Sequence, residues 1–192
     1  FAQPVSSTDE ATGSTIVTDE LYRFVQRAVF ILMEKTRSMP DPSRQRVQIL
    51  HIDDEPDFAD LTKTFLQTED NRFDVETATS ADEGLSIIND RPPDCIVSDY
   101  NMPGMDGLEL LEAVRRDNPD LPFILFTGRG SEEVASDAIA ADVTDYLQKG
   151  SGSDKYELLA NRIRNAVRTR RETRRGDRQE QLMRLTALAA DT

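Results

Sequence analysis

The sequence predicts an α/β fold: a doubly wound, five-stranded parallel sheet with flanking helical extensions. Two observations predict it. Five short apolar runs with β-branched residues alternate with five helical stripes from Val47 onward, the pattern of repeated βα units. Right-handed crossovers between successive strands then place helices on both faces of one sheet.

The elements follow in order. Residues 1 to 15 are rich in Ser, Thr, Asp and Gly and predict a tail, because so little apolar surface cannot offset the entropy of ordering. Thr18 caps a helix whose first turn holds Asp19 and Glu20 and whose stripe is Leu21, Phe24, Val25, Ala28, Val29 and Leu32. It is expected to stop near Arg37, before a linker in which Pro40 and Pro42 exclude further helix. The strands are then expected at Val47 to Ile52, Phe73 to Thr77, Asp94 to Ser98, Pro122 to Phe126 and Val143 to Leu147. The helices between and after them are expected from Pro56 to about Gln67, Ala81 to about Asn89, Gly107 to about Asp117, Glu132 to about Ala141, and Lys155 onward. Pro56 suits a first helical position, and Ser80 with Glu83 and Asp106 with Glu109 have capping-box spacing. Phe58, Leu61 and Phe65 supply the apolar spacing of the first helix, Leu108 and Leu111 that of the third.

Beyond Asn165 the chain turns basic through Arg168, Arg170, Arg171, Arg174, Arg175 and Arg178, with Gly176 as an interruption before an apolar stripe at Leu182, Leu185 and Leu188. This predicts three parts: residues 1–45 as tail, helix and linker, 46–170 as the α/β domain, and 171–192 as a basic helical extension. The extension is too short for a DNA-binding output domain. Its basic run reads as a solvated helix face.

A net charge of −13 excludes a general nucleic-acid binder. With 22 Asp, 14 Glu and 19 Arg against 4 Lys, the composition points to a halophilic, salt-adapted surface, since strong screening tolerates such self-repulsion. The single cysteine, Cys95, lies in an apolar run and reads as a buried thiol in a reducing, cytoplasmic setting. No segment reads as a membrane span or a signal peptide. A first residue of Phe1 rather than Met points to a processed chain or an excised piece.

The chemistry gathers where the strands end. Asp53 and Asp54 follow the first strand, Asp99 the third, Thr127 the fourth, and Lys149 lies just past the fifth. Parallel strands share a carboxyl edge, so these residues are expected on one side of the sheet. With the flavodoxin-type order 2-1-3-4-5 the first and third strands are neighbours and their carboxylates converge. A strand-end aspartate alone is as readily a loop cap. Three converging carboxylates, however, repel one another by roughly 4 kcal/mol per pair at 4 Å and an effective dielectric of 20. A hard cation completed by oxygen ligands, Mg²⁺, suits them. The Thr127 hydroxyl and Lys149 ammonium would then meet the oxygens of a transferred phosphoryl group, with Asp99 as nucleophile.

Asp53-Asp54, Asp99 within Asp-Tyr-Asn-Met-Pro-Gly-Met-Asp-Gly, Thr127-Gly128, and Tyr146 three residues before Lys149 together resemble the CheY-like receiver domain of two-component response regulators. The resemblance covers about residues 46 to 170. It implies phosphorylation of Asp99 by a histidine kinase, and Mg²⁺ held by Asp54, Asp99 and the Asn101 carbonyl, with Asp53 assisting through water. It also implies a Thr127 and Tyr146 switch that repacks the face of the fourth helix, fifth strand and fifth helix. A homodimer through that face or through the extensions is a further candidate assembly. One departure stands out: Gly150 follows Lys149 where the family usually has proline. A trans, glycine-adapted loop is expected there, because a cis bond without proline costs about 3 kcal/mol.

The only histidine, His51, lies inside the first strand and reads as structural, so the phosphodonor acts in trans or from another segment. The leading reading is a phosphoacceptor signalling module, not an enzyme, either free-standing or a receiver fragment of a hybrid sensor kinase. A Mg²⁺ aspartyl-phosphate phosphohydrolase would want Asp-x-Asp after the first strand, where Asp53-Asp54-Glu55-Pro56 stands. A phosphorylation-independent interaction module would be expected to lack one of the five site residues.

Overall fold

The computed structural model describes residues 45–128, 132–150 and 152–190. The expected tail, the helix from Thr18 to Arg37 and the proline linker lie outside the described residues. The described sheet and helices belong to the unit Arg46–Thr192.

Ten elements alternate along this unit: β1 (Val47–Ile52), α1 (Pro56–Glu69), β2 (Phe73–Ala78), α2 (Ala81–Asp90), β3 (Cys95–Ser98), α3 (Gly107–Asp117), β4 (Phe123–Thr127), α4 (Glu132–Ala140), β5 (Asp145–Gln148) and α5 (Asp154–Ala190). The strands form one parallel sheet in the order β2-β1-β3-β4-β5. Residues alternate between its faces, as the strand period requires. Ile49, Val75, Cys95, Val97, Ile124 and Phe126 pack with Tyr156, Leu159 and Ile163 of α5. On the other face Leu50, Ile96, Phe123 and Leu125 pack with Ile88 of α2 and Leu110, Leu111 and Val114 of α3. The strands are therefore buried on both sides, which explains why they read as continuous apolar runs. Cys95 is a buried thiol whose pKa burial pushes far up.

Several local expectations change. β5 begins at Asp145 rather than Val143, because the chain is still closing α4 there. Asp142 takes a left-handed φ of 58°, and the Val143 N–H reaches back to the Ala138 carbonyl at 3.1 Å, the 6→1 bond of a Schellman-type end. Asp94 is not in β3; its carboxylate accepts the Gln48 N–H at 3.0 Å. The Asp106–Glu109 capping box is complete. That of Ser80 is half made, since Glu83 Oε2 accepts from the Thr79 N–H at 2.7 Å and hydroxyl at 3.0 Å instead. Leu61 is 47% exposed; Ala59, Thr62 and Leu66 are the buried face of α1.

Gly176 does not interrupt α5, which runs for 37 residues without a break. Its outer part is continuous with the helix that covers the sheet. An interior glycine costs a helix about 1 kcal/mol, and strong helix formers (Arg, Glu, Gln and Leu) surround this one.

Candidate functional site

The β1–β3 register decides the geometry. Ile52 pairs with Ser98, so the next residues, Asp53 and Asp99, leave the sheet side by side. The Asp99 N–H still donates to the Ile52 carbonyl at 2.8 Å, and the Asp53 N–H to Ala78 at 3.0 Å. Both aspartates are thus fixed by ladder-type bonds while their side chains pass beyond the sheet edge. Asp53 is fully buried, Asp99 is 7% exposed and Asp54 is half-buried. One carboxylate oxygen from each lies within 4.8 Å of the others.

A fourth group comes from the far end of the domain. Lys149 follows β5, its N–H held by the Thr127 carbonyl at 2.8 Å. Its Nζ donates to Asp53 Oδ2 at 2.6 Å and lies 3.2 Å from Asp99 Oδ1. The second contact is an ion pair without hydrogen-bond alignment, so Asp99 Oδ1 is buried yet not hydrogen-bonded. Asp53 Oδ1 accepts the Glu55 N–H at 3.1 Å, and the ammonium sits 4.3 Å above the Phe58 ring. The repulsion expected among the carboxylates is thus partly offset before any metal ion binds. Lys149 itself supplies one positive charge, leaving a formal excess of two negative charges among the four groups.

Thr127, the last residue of β4, is fully buried at the same edge. Asn101 lies two residues beyond Asp99, exposed in the loop. Tyr146 is half-buried in β5, its hydroxyl enclosed without a hydrogen-bond partner. The Lys149–Gly150 peptide is trans. Nothing there demands glycine, because Gly150 has no positive φ and a Cβ would meet open space.

Two contributions were not read from the sequence. His51 is structural, as its place in the strand implies, but it also touches the site, with Nε2 3.8 Å from Asp53 Oδ2. Burial, helped by the Lys149 charge, lowers its pKa to about 3 and keeps it neutral. Gly107 is the other. Its N–H donates to the Tyr100 carbonyl at 2.9 Å, and an added Cβ would collide with the Asp99 carbonyl oxygen and come within 2.9 Å of Leu125. Only glycine lets the start of α3 lie directly against the Asp99 backbone. A glycine shortly after a strand-end aspartate was the available signal.

An acidic cluster at the carboxyl edge of β1 and β3, with a lysine reaching in from β5, is the geometry on which the comparisons bear. The family description "response regulator receiver domain" matches residues 49–161. The chain belongs to this receiver family. Its receiver is 36% identical over 128 residues to the nitrogen assimilation regulatory protein NtrX of Azorhizobium caulinodans, covering 66% of this chain and 28% of that protein. It is 34% identical over 137 residues to the C4-dicarboxylate transport transcriptional regulatory protein DctD of Pseudomonas aeruginosa, covering 68% and 27%. The chain thus spans little more than a quarter of the length of these curated relatives. Among solved structures, the CheY-like receiver domain protein of Methanospirillum hungatei superposes with a TM-score of 0.60 at 28% identity, covering 67% of this chain and 99% of that one. The receiver domain of NtrX from Brucella abortus gives 0.54 at 36%, covering 60% and 96%.

Proposed function

We propose that this receiver is a phosphoacceptor module that takes a phosphoryl group onto Asp99 from the phosphohistidine of a histidine kinase. The observation that carries the reading is the Asp99 carboxylate: a buried edge position, one oxygen without a hydrogen bond, and an ammonium 3.2 Å away. An Asp99 oxygen attacks phosphorus in line, forming a P–O bond as the donor's P–N bond breaks, and the leaving imidazole takes up a proton. Lys149 is placed to meet negative charge on the arriving group, and Thr127 offers its hydroxyl from the neighbouring strand. Phe58 and the buried walls keep Lys149 aimed at the site rather than at solvent.

The donor set fits Mg²⁺. Asp53, Asp54 and Asp99 present only hard oxygens, clustered within 4.8 Å, and the Asn101 carbonyl is the further ligand we assign. When bound, the ion neutralises charge on the phosphoryl oxygens. For output we assign the face of α4, β5 and α5, where Ile139 is 75% exposed and the Tyr146 hydroxyl lacks a partner. Residues 1–45 and 171–192 are assigned to partner contacts, and the module to the cytoplasm. Among the described residues no helix is long and apolar enough to cross a membrane.

The test is intact mass after incubation with a small phosphodonor and Mg²⁺. Wild-type protein gains one phosphoryl group, and Asp99→Asn, which keeps the shape but is a poor nucleophile, gains none. Equal gain in both proteins would remove Asp99 from the role.

A further inference from the structure

A second site lies at the opposite edge of the sheet. A groove of about 380 Å³ opens between α5 and the entries to β4 and β5. Pro122 and Thr144, which line it, immediately precede the first residues of those strands, Phe123 and Asp145. A five-residue strand separates this edge from Thr127, roughly 17 Å, so the groove is distinct from the phosphoacceptor site.

One wall is a polar stripe of α5: Arg162, Asn165, Thr169, Arg170, Thr173 and Arg174. Their spacing of three and four residues keeps them on one side of the helix. The cations are unequally satisfied. Arg162 is paired with Asp145 at 3.3 Å. Arg170 has only the carbonyls of Pro93 and Asp94, at 3.3 and 3.4 Å, and its Nε is buried without a partner. Among the described residues neither Arg170 nor Arg174 forms an ion pair. Burial lowers the Arg170 pKa, and the neighbouring Arg174 charge lowers it further. Asp94 and Asp120 oppose this, but the Asp94 carboxylate is already engaged by Arg171 at 3.1 Å and by the Gln48 N–H at 3.0 Å. Two guanidiniums one turn apart therefore line the groove without an ion-pair partner among the described residues, in a chain whose net charge is −13.

We propose that this groove binds a small phosphomonoester whose body carries hydroxyl or amine groups, with the phosphate between Arg170 and Arg174. A dianion matches two arginine forks in charge and in hydrogen-bond geometry. The Thr169 hydroxyl and the Asn165 amide nitrogen are further donors on the same stripe; Asn165 Oδ1 is already used by Arg168 at 3.1 Å. Asp120, on the facing wall, is an acceptor and would meet donors on the ligand body. The volume falls in the range of small-molecule sites. A nucleic acid fits less well, because the rest of the acidic surface would repel a polyanion that extends beyond the groove.

The test is amide chemical-shift perturbation and calorimetry on the full chain, with AMP, adenosine and inorganic phosphate as probes. AMP is expected to shift the amides of Thr144, Thr169 and Thr173. Arg174→Gln, at an exposed position that the fold does not need, is expected to weaken AMP binding about tenfold, or about 1.4 kcal/mol. Asp99→Asn should leave it unchanged, separating this site from the phosphoacceptor. The proposal is overturned if AMP leaves those amides unmoved, if chloride at matched ionic strength moves them equally, or if Arg174→Gln binds as tightly as wild type. Equal affinity for inorganic phosphate would overturn the part assigned to the ligand body, and tighter adenosine than AMP binding the part assigned to the phosphate.

Discussion

Replacing Lys149 with methionine should destabilise the metal-free protein by far more than an ordinary lysine substitution. The ammonium is 2.6 Å from Asp53 Oδ2 and 3.2 Å from Asp99 Oδ1, and the side chains of Lys149 and Asp53 are 11% and 0% exposed. Methionine preserves most of the aliphatic stem over Phe58 but leaves the buried Asp53 carboxylate facing two others. Breaking a buried pair by removing one partner costs about 3–5 kcal/mol. That figure already contains the repulsion the cation had offset: like charges no more than 4.8 Å apart repel by at least ~3 kcal/mol at an effective dielectric of 20. We expect a loss of about 4 kcal/mol, lowering Tm by about 10 °C for a domain of this size. The assay is a double-mutant cycle with Asp53→Asn, by urea melts without metal and with saturating Mg²⁺. Asn keeps the acceptor for the Glu55 N–H and removes the charge, so the double variant should recover at least 2 kcal/mol of the loss, measured as coupling. Mg²⁺ should rescue Lys149→Met more than wild type. A coupling below about 0.5 kcal/mol, with no differential rescue, would refute the idea that Lys149 neutralises the cluster.

Three other outcomes follow from the same structure. Asp54→Ala should weaken Mg²⁺ binding while raising metal-free stability, because one of three crowded carboxylates is removed; a less stable apo variant in a thermal melt would contradict the crowding. Asp70, bound by the Arg72 side chain at 2.6 Å and approached by Arg164 at 3.5 Å, has its pKa lowered from 3.8 to about 2. Such a depressed carboxyl stabilises the fold above its unfolded pKa and loses that effect as pH falls through the folded one. Asp70→Asn should therefore cost about 1 kcal/mol at neutral pH, discounted for the solvent around Arg72. In urea melts the gap to wild type should close between pH 4 and pH 2. With 36 acidic and 23 basic residues, Tm should go on rising with KCl beyond the range where pairwise screening is complete, and melts flat up to molar salt would remove the salt-adapted reading.

The fold was legible because a parallel sheet buried on both faces writes itself into the chain as apolar runs spaced by helical stripes. Strand ends were less so. The start of β5 depends on the left-handed Asp142, and the start of β3 on a carboxylate that takes over a ladder acceptor's place; neither leaves a mark in hydrophobic periodicity. The Ser80 cap shows the same limit. Glu83 has the capping-box spacing, yet it bonds Thr79, because the two N–H groups are neighbours and a flexible side chain chooses between them by geometry. Leu61 illustrates how an i, i+3 pair of large residues can mislead: α1 buries the small Ala59 and Thr62 against the sheet, leaving Leu61 on its outer side.

The candidate site was legible as a set but not as a balance of charge. Strand-end positions say which residues share an edge, and the β1–β3 register then brings Asp53 beside Asp99 without further information. Where Lys149 goes is another matter, because its reach depends on a contact between residues 96 positions apart and on the aromatic surface of Phe58 beneath it. Those features settle that the ammonium lies among the carboxylates even without metal. Under the proposed phosphoacceptor role, an arriving phosphoryl group would meet a lysine already engaged by Asp53, and would draw it toward its own oxygens only in competition with that bond. Phosphorylation of Asp99 should accordingly loosen the Lys149–Asp53 contact. Because the Lys149 N–H is held by the Thr127 carbonyl and β5 ends one residue before it, such a change would be delivered to the strand that carries Tyr146.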